Sequence, residues 1–128
     1  MKKLTFLTIF ALLALSVLAA CGGSGSTGSS APTTVTMGAV QFNSTTVTIT
    51  KGSTINFTTE QGGTAHNLVN GTDGKTRTES GAPDFGAGGQ NVGPGKTWAS
   101  PPWNTAGTFH VTCTYHPTTM TMTVVVTG

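Results

Sequence analysis

Threonine and valine alternate along much of this chain with a period of two, and that spacing predicts strands. Val47 and Ile49 are separated by Thr46, Thr48 and Thr50, a strand with one buried and one wet face. Lys51-Gly52 turns the chain, and Ile55 and Phe57 alternate in the next strand. His66 to Val69 reads as a third, and Met37 belongs to a first strand upstream, with its side chain in the core. Phe109, Val111 and Cys113 share one side of a late strand, and residues 121–127 form the last, with Val124-Val125-Val126 at its apolar heart. No stretch of the mature region sustains a helical period. Residues 70–94 dissolve into Gly, Thr and Asn with scattered charge, a long surface loop with room for a short edge strand. Ser100-Pro101-Pro102 belongs at an edge or bulge, because proline cannot donate to a sheet ladder. Many short strands punctuated by turns predict an all-β domain built as a two-sheet sandwich.

The N-terminal residues break this texture. Met1-Lys2-Lys3 is followed by an apolar run from Leu4 to Leu18 and then by Ala19-Ala20-Cys21. A short basic region, an apolar core and small residues before a cleavage point make a secretory signal. The run is short for a spanning helix, which needs about 20 apolar residues. Leu18-Ala19-Ala20-Cys21 looks like a bacterial lipobox, in which Cys21 carries lipid and becomes the mature N-terminus. Residues 22–33 are rich in Gly, Ser and Thr and read as a flexible tether, with a reach of roughly 20 Å as a random coil. The expected organisation is a signal peptide over 1–20, lipidated Cys21 and linker over 21–33, and one domain over 34–128. That implies an extracytoplasmic protein anchored to the bacterial cell membrane.

Processing changes the charge and the cysteine count. The whole chain carries a formal +2, but Lys2 and Lys3 leave with the signal. Lys51, Lys75, Arg77 and Lys96 then face Glu60, Asp73, Glu79 and Asp84, a balance of zero that gives no footing for nucleic-acid binding. The chain holds only Cys21 and Cys113. With lipid on the first, the second is a lone thiol in an exported domain, vulnerable to oxidation unless a metal occupies it.

Cys113-Thr114-Tyr115-His116-Pro117-Thr118-Thr119-Met120 concentrates that chemistry. It places a thiolate, an imidazole and a thioether within eight residues. A strand end followed by a tight loop can aim residues i and i+3 at one point, and Pro117 stiffens the loop beyond His116. His66, far upstream, could supply a second imidazole. Two nitrogens, a thiolate and a weak thioether are the donors of a mononuclear electron-transfer copper site, since sulfur favours Cu(I) and imidazole accepts both oxidation states. His110 lies three residues before Cys113, so alternation turns it to the opposite, solvent-facing side and excludes it as a ligand. Met120 and Met122 share a face. Met120 is nearer the cluster and is the favoured thioether, with Met122 as core packing.

These residues resemble the small blue (type 1) copper proteins of the cupredoxin superfamily, most closely plastocyanin, pseudoazurin and amicyanin. Lys51-Gly52-Ser53-Thr54-Ile55-Asn56-Phe57 looks like the family's strand before the first ligand, and Ala65-His66-Asn67 like its His-Asn pair. Pro94-Gly95-Lys96-Thr97 and Gly107-Thr108-Phe109 resemble the turn and strand start before the cysteine loop. The resemblance runs from about Val47 to the C-terminus. It departs in one place: His116 and Met120 enclose three residues, where relatives commonly have two or four. The resemblance implies a Greek-key β-sandwich of two sheets of short mixed strands, with one type 1 copper held by His66, Cys113, His116 and Met120. It also implies a hydrogen-bonding role for Asn67, a weak approach of the Ala65 carbonyl to the metal, and a partly exposed His116.

The expected function is a membrane-tethered one-electron carrier and not an enzyme, because no nucleophile-base pair or paired carboxylates stand out. It would act as a monomer on redox proteins of a membrane electron-transfer chain, docking weakly around His116. The alternative is an exported copper chaperone or scavenger. A small oxidase-like copper protein would need an open coordination position, and a structural adhesive β-domain would bind no metal.

Overall fold

In a computed structural model, residues 31–128 are described, so the expected signal, Cys21 and most of the linker lie outside the described residues. Nine strands make up the regular structure: β1 (Thr33–Met37), β2 (Thr46–Thr50), β3 (Ile55–Thr59), β4 (His66–Thr72), β5 (Lys75–Thr76), β6 (Gln90–Val92), β7 (Thr97–Ala99), β8 (Gly107–Cys113) and β9 (Thr121–Thr127). No helix occurs among the described residues.

The strands form two sheets. One has the order β1-β3-β7, with β1 parallel and β7 antiparallel to β3. The other has the order β2-β9-β8-β4-β5, with β6 also paired to β4 and with β2 parallel to β9. The sheets are therefore mixed, as expected, and consecutive strands alternate between them early in the chain. Alternation decides which residues face inward. In β9 Met122, Val124 and Val126 are buried, while Thr121, Thr123 and Val125 are half-buried. In β2 Ile49 is buried and Thr46, Thr48 and Thr50 are exposed. In β8 Phe109, Val111 and Cys113 face the core.

Aromatic rings fill the space between the sheets. Phe57 lies against Phe42, Phe85 and Trp98, with the Trp98 ring stacked at 5.9 Å. Trp103 is fully buried between Phe85 and Phe109. The prolines at 101 and 102 follow β7, an edge strand, as proline requires. Ser100 makes this chain exit possible. Its Oγ accepts from the Ile55 amide at 3.0 Å and from Trp103 Nε1 at 3.1 Å, so neither buried donor is left unpaired.

Residues 70–94 are more structured than their composition suggests. β4 continues to Thr72, β5 returns beside it, and β6 pairs with the start of β4. Gly71, buried with φ +139°, marks the point where β4 swings away, and a β-carbon there would collide with the backbone of Lys75 and Arg77. Asp73 (φ 54°) and Gly74 (φ +67°) then form a hairpin turn with both central residues left-handed, for which Asp-Gly is a preferred pair. This segment covers the outer face of β8. His110 keeps the outward, partly exposed position that alternation gives it and is held there by Glu79: its Nδ1 lies 2.6 Å from Glu79 Oε1, and its backbone amide donates to Glu79 Oε2. Thr112, on the same outer face, is fully buried under this segment.

Removing the central ring should cost most. Phe57→Ala is expected to lower unfolding free energy by about 3–5 kcal/mol, whereas Val40→Ala, at an exposed position, should stay within about 0.5 kcal/mol. Urea unfolding of the metal-free domain, followed by tryptophan fluorescence, reads both.

Candidate metal centre

Three neighbouring strands bring the candidate ligands to one end of the sandwich. Cys113 ends β8, His66 opens β4, and the two strands are hydrogen-bonded with Leu68 opposite Cys113. His116 and Met120 lie in the loop that carries the chain from β8 to β9. Two consecutive turns fold that loop tightly: the His116 amide donates to the Cys113 carbonyl at 3.3 Å, and the Met120 amide donates to the His116 carbonyl at 3.1 Å. The Cys113 amide then donates to the Met120 carbonyl at 2.9 Å and closes the loop.

His66, Cys113 and His116 form one cluster, each offering a donor atom within 4.8 Å of the others. Both imidazoles present Nδ1 to the sulfur: Cys113 Sγ is 3.7 Å from His66 Nδ1 and 3.6 Å from His116 Nδ1. These separations fit a shared ion. A thiolate and an imidazole bound at about 2.3 and about 2.0 Å, at tetrahedral to trigonal angles, stand about 3.5–3.7 Å apart. The cluster contains no carboxylate. A soft sulfur with two nitrogens suits copper or zinc and not magnesium or calcium, which take oxygen.

The β8–β9 register places the thioether. Val111 faces Met122 and Thr112 faces Thr121, so the next pair outward is Cys113 and Met120. Residues directly opposite in antiparallel strands project to the same face, with β-carbons about 4.5–5.5 Å apart. Met120 is fully buried on the face that carries Cys113, and Met122 packs one layer deeper beside Val111. The structure thus brings Met120 to the cluster and leaves Met122 in the core. Met37 is core as well, fully buried.

Burial differs sharply among the nitrogen donors. His66 is fully buried, whereas His116 is half-exposed at the surface. Burial pushes the His66 imidazole below its usual pKa by penalising the charged form, and His116 nearby adds to the shift. The Gly38 carbonyl opposes it, although Nε2 has no partner of acceptable hydrogen-bond geometry. A neutral ring keeps Nδ1 free to bind metal.

Asn67 is tied to two other segments by hydrogen bonds. Its Nδ2 donates to the Gly88 carbonyl at 2.9 Å and to Thr114 Oγ1 at 3.0 Å, while its backbone carbonyl accepts from the Thr114 amide. It joins β4, the ligand loop and the turn at 86–89. Ala65 precedes His66 directly on the exposed entry to β4. His110 takes no part in the cluster.

One support escaped the sequence reading. The tip of the β4–β5 hairpin packs on the ligand loop, where the Gly74 amide donates to Thr112 Oγ1 at 2.9 Å and the Asp73 backbone amide donates to Thr121 Oγ1 at 3.3 Å. Thr112 Oγ1 in turn donates to the Met120 carbonyl at 3.0 Å. A β-carbon on Gly74 would strike Pro117, so glycine is required there. The Thr72-Asp73-Gly74-Lys75 turn signal was present in the sequence, but nothing local says what its tip touches.

Residues 30–127 match the family described as copper-binding proteins of the plastocyanin/azurin family. No curated protein matches the chain in sequence. Among solved structures, amicyanin from Paracoccus versutus superposes with a TM-score of 0.57 at 21% identity, over 77% of this chain and 83% of that one. A reduced Cu(I) form of an amicyanin mutant gives 0.59 at 18%, over 76% and 83%. An oxidised amicyanin mutant gives 0.59 at 16%, over 80% and 88%. At these identities the likeness shows the fold.

The lowered His66 pKa sets a pH dependence. Below the unfolded value of about 6.5 the unfolded chain takes up a proton that folded His66 refuses, so stability falls with pH through that range. Urea midpoints of the metal-free domain should therefore drop between pH 7 and pH 5, and His66→Phe should flatten the slope. An unchanged slope in the variant would remove His66 as its source.

Proposed function

This chain belongs to the plastocyanin/azurin family of copper-binding proteins, and we propose that it is an exported, membrane-tethered one-electron carrier cycling one type 1 copper between Cu(II) and Cu(I). The observation that carries this reading is the aim of two imidazole Nδ1 atoms at one buried thiol, at 3.6 and 3.7 Å. When bound, copper supplies a one-electron couple that no side chain here offers. The protein contributes a prepared donor set, His66, Cys113 and His116 with Met120 as the weak fourth. The Ala65 carbonyl stands next to His66 as the candidate fifth contact.

Rigidity follows from how each donor is held. Cys113 lies in a hydrogen-bonded strand, His66 opens another, and Asn67 ties that strand to the ligand loop. A site that does not rearrange between oxidation states transfers electrons with little reorganisation. His66, Cys113 and Met120 are sealed from water, which leaves no coordination position open to a substrate and supports a carrier over an enzyme. The same burial argues against a chaperone, because handing over a metal by ligand exchange requires accessible donors.

His116 is the ligand whose ring reaches the surface, so contact with a partner is made there. Val40 and Tyr115, 47% and 54% exposed, are the large exposed hydrophobic residues of the described chain, and both belong to this end of the sandwich. Thr119 Oγ1 donates to the Val40 carbonyl and joins that residue to the ligand loop. A mature chain of zero net charge with an apolar contact surface suits weak, short-lived docking with little long-range steering. The protein acts as a monomer in this reading. Lipid on Cys21, at the end of the signal-like segment, would hold the domain on the outer side of a bacterial cell membrane near its redox partners.

Addition of Cu(II) to the soluble domain should give an intense blue absorption at one equivalent with a narrow copper hyperfine pattern in EPR. The colour should bleach on reduction and return on reoxidation. Cys113→Ser should abolish it, and a wild-type domain that binds copper without the thiolate band would refute the carrier.

The two methionines make a second prediction. Met120→Leu should shift the reduction potential and alter the EPR spectrum, while Met122→Leu should change stability and leave the potential close to wild type. Voltammetry of both variants distinguishes them.

A further inference from the structure

Thr112 stands next to Cys113 in β8 but on the opposite face, and it is fully buried there. Its hydroxyl meets three polar groups, and their chemistry assigns every proton. The Gly74 amide can only donate, at 2.9 Å, and the Met120 carbonyl can only accept, at 3.0 Å. The single Thr112 proton therefore goes to Met120. Thr121 Oγ1, 2.8 Å away, is left to donate its own proton to Thr112. Thr121 Oγ1 in turn accepts from the Asp73 amide at 3.3 Å. Thr112 Oγ1 thus gives one hydrogen bond and receives two, the full complement of a hydroxyl.

These bonds all run one way, from two backbone amides at the hairpin tip, through two hydroxyls, to one carbonyl. Hydrogen bonds arranged head to tail polarise one another, so the last of them is stronger than an isolated threonine would make. Its acceptor also takes the Cys113 amide at 2.9 Å, and the Met120 amide donates to the His116 carbonyl at 3.1 Å. The backbone is held on both sides of the Met120 α-carbon.

We propose that this one-way relay positions the thioether, with Thr112 as the positioning residue that sets how closely Met120 approaches copper. The inference rests on the reading of Met120 as the weak fourth donor of a type 1 centre. A thiolate and two imidazoles bind copper strongly, whereas a thioether is a weak, long contact whose distance the protein must fix, and that distance tunes the potential. The ligand loop cannot fix it alone, because residues 117–119, between His116 and Met120, are all exposed. The relay supplies the missing restraint from outside the loop.

The test uses the full chain purified in detergent, copper-loaded for voltammetry and metal-free for amide hydrogen exchange. Thr112→Val keeps the shape and removes the hydroxyl. It should move the reduction potential in the same direction as Met120→Leu, by a smaller amount, and Thr112→Ser should bring it back toward wild type. In the metal-free chain, Thr112→Val should speed exchange of the Cys113 amide relative to other β8 amides by roughly fivefold, the equivalent of one net hydrogen bond. Val126→Ala, a buried truncation at the far end of β9, should lower stability and leave the potential at the wild-type value. Thr121→Val, at a half-buried position, removes only the donor behind Thr112 and should give a smaller shift of the same sign.

A wild-type potential in Thr112→Val overturns the proposal even where Cys113 exchanges faster, since the hydroxyl then braces the backbone without setting the thioether. Equal shifts in Thr112→Val and Thr112→Ser overturn it too, by assigning the effect to packing. Where Thr112→Val does not fold, a wild-type potential in Thr121→Val overturns it. Each of these leaves the carrier intact. A wild-type chain without the blue thiolate band overturns the carrier itself, and the relay's role with it.

Discussion

The antiparallel register of β8 with β9, continued into the loop by the Cys113 amide bonding to the Met120 carbonyl, is the constraint on which the centre depends. It sets the thiol and a thioether side by side on the inner face, and it fixes the ends of the loop that carries His116. A slip of one residue would turn Cys113 outward and Thr112 inward, and no metal site could form. The apolar pattern of the strands prevents that slip. Phe109 and Val111 on β8, with Met122, Val124 and Val126 on β9, must all face the core together. The hydrophobic effect thus positions the ligands before any metal arrives.

Around this register the polar contacts are concentrated where they stiffen the loop. Asn67 braces it from β4, and the Asp73-Gly74 tip braces it from the outside through Thr112 and Thr121. The outer face of β8, which could have been left wet, is given over to this bracing and to the Glu79–His110 pair. Burying an imidazole and a thiol without a carboxylate nearby is costly for the empty fold. The domain accepts that cost, visible in the lowered pKa of His66, and metal binding can recover it as stability.

Much of this was legible in the sequence. Period-two alternation identified β2, β3, β8 and β9, because their inner faces carry large apolar residues between threonines. The ligand cluster was legible because soft donors are rare and stand close together at 113–120. His66 needed the family resemblance, since only pairing between β4 and β8 brings it near. β5 and β6 were hidden because Lys75, Thr76, Gln90 and Asn91 bury almost nothing, and their pairing is carried by backbone hydrogen bonds. The pairing of His110 with Glu79 was hidden for a related reason. Alternation tells which face a residue takes and not what lies over that face, and Glu79 is brought there by a turn whose destination is non-local.

The parallel pairing of β2 with β9 has a consequence for how the molecule comes into being. Thr46 aligns with Thr123, so the contact closes a loop of 77 residues, and β1 and β2 reach their partners only after crossing between sheets. Non-local pairings of this kind make folding slow, because loop entropy is lost before contacts compensate it. Cys113, His116 and Met120 flank the strand that makes the longest of these pairings. Until β9 docks, the thiol has neither its neighbours nor its burial, and folding time becomes its window of vulnerability to oxidants. Early capture of the metal would close that window, making the ion a protector of the nascent chain as well as its redox centre.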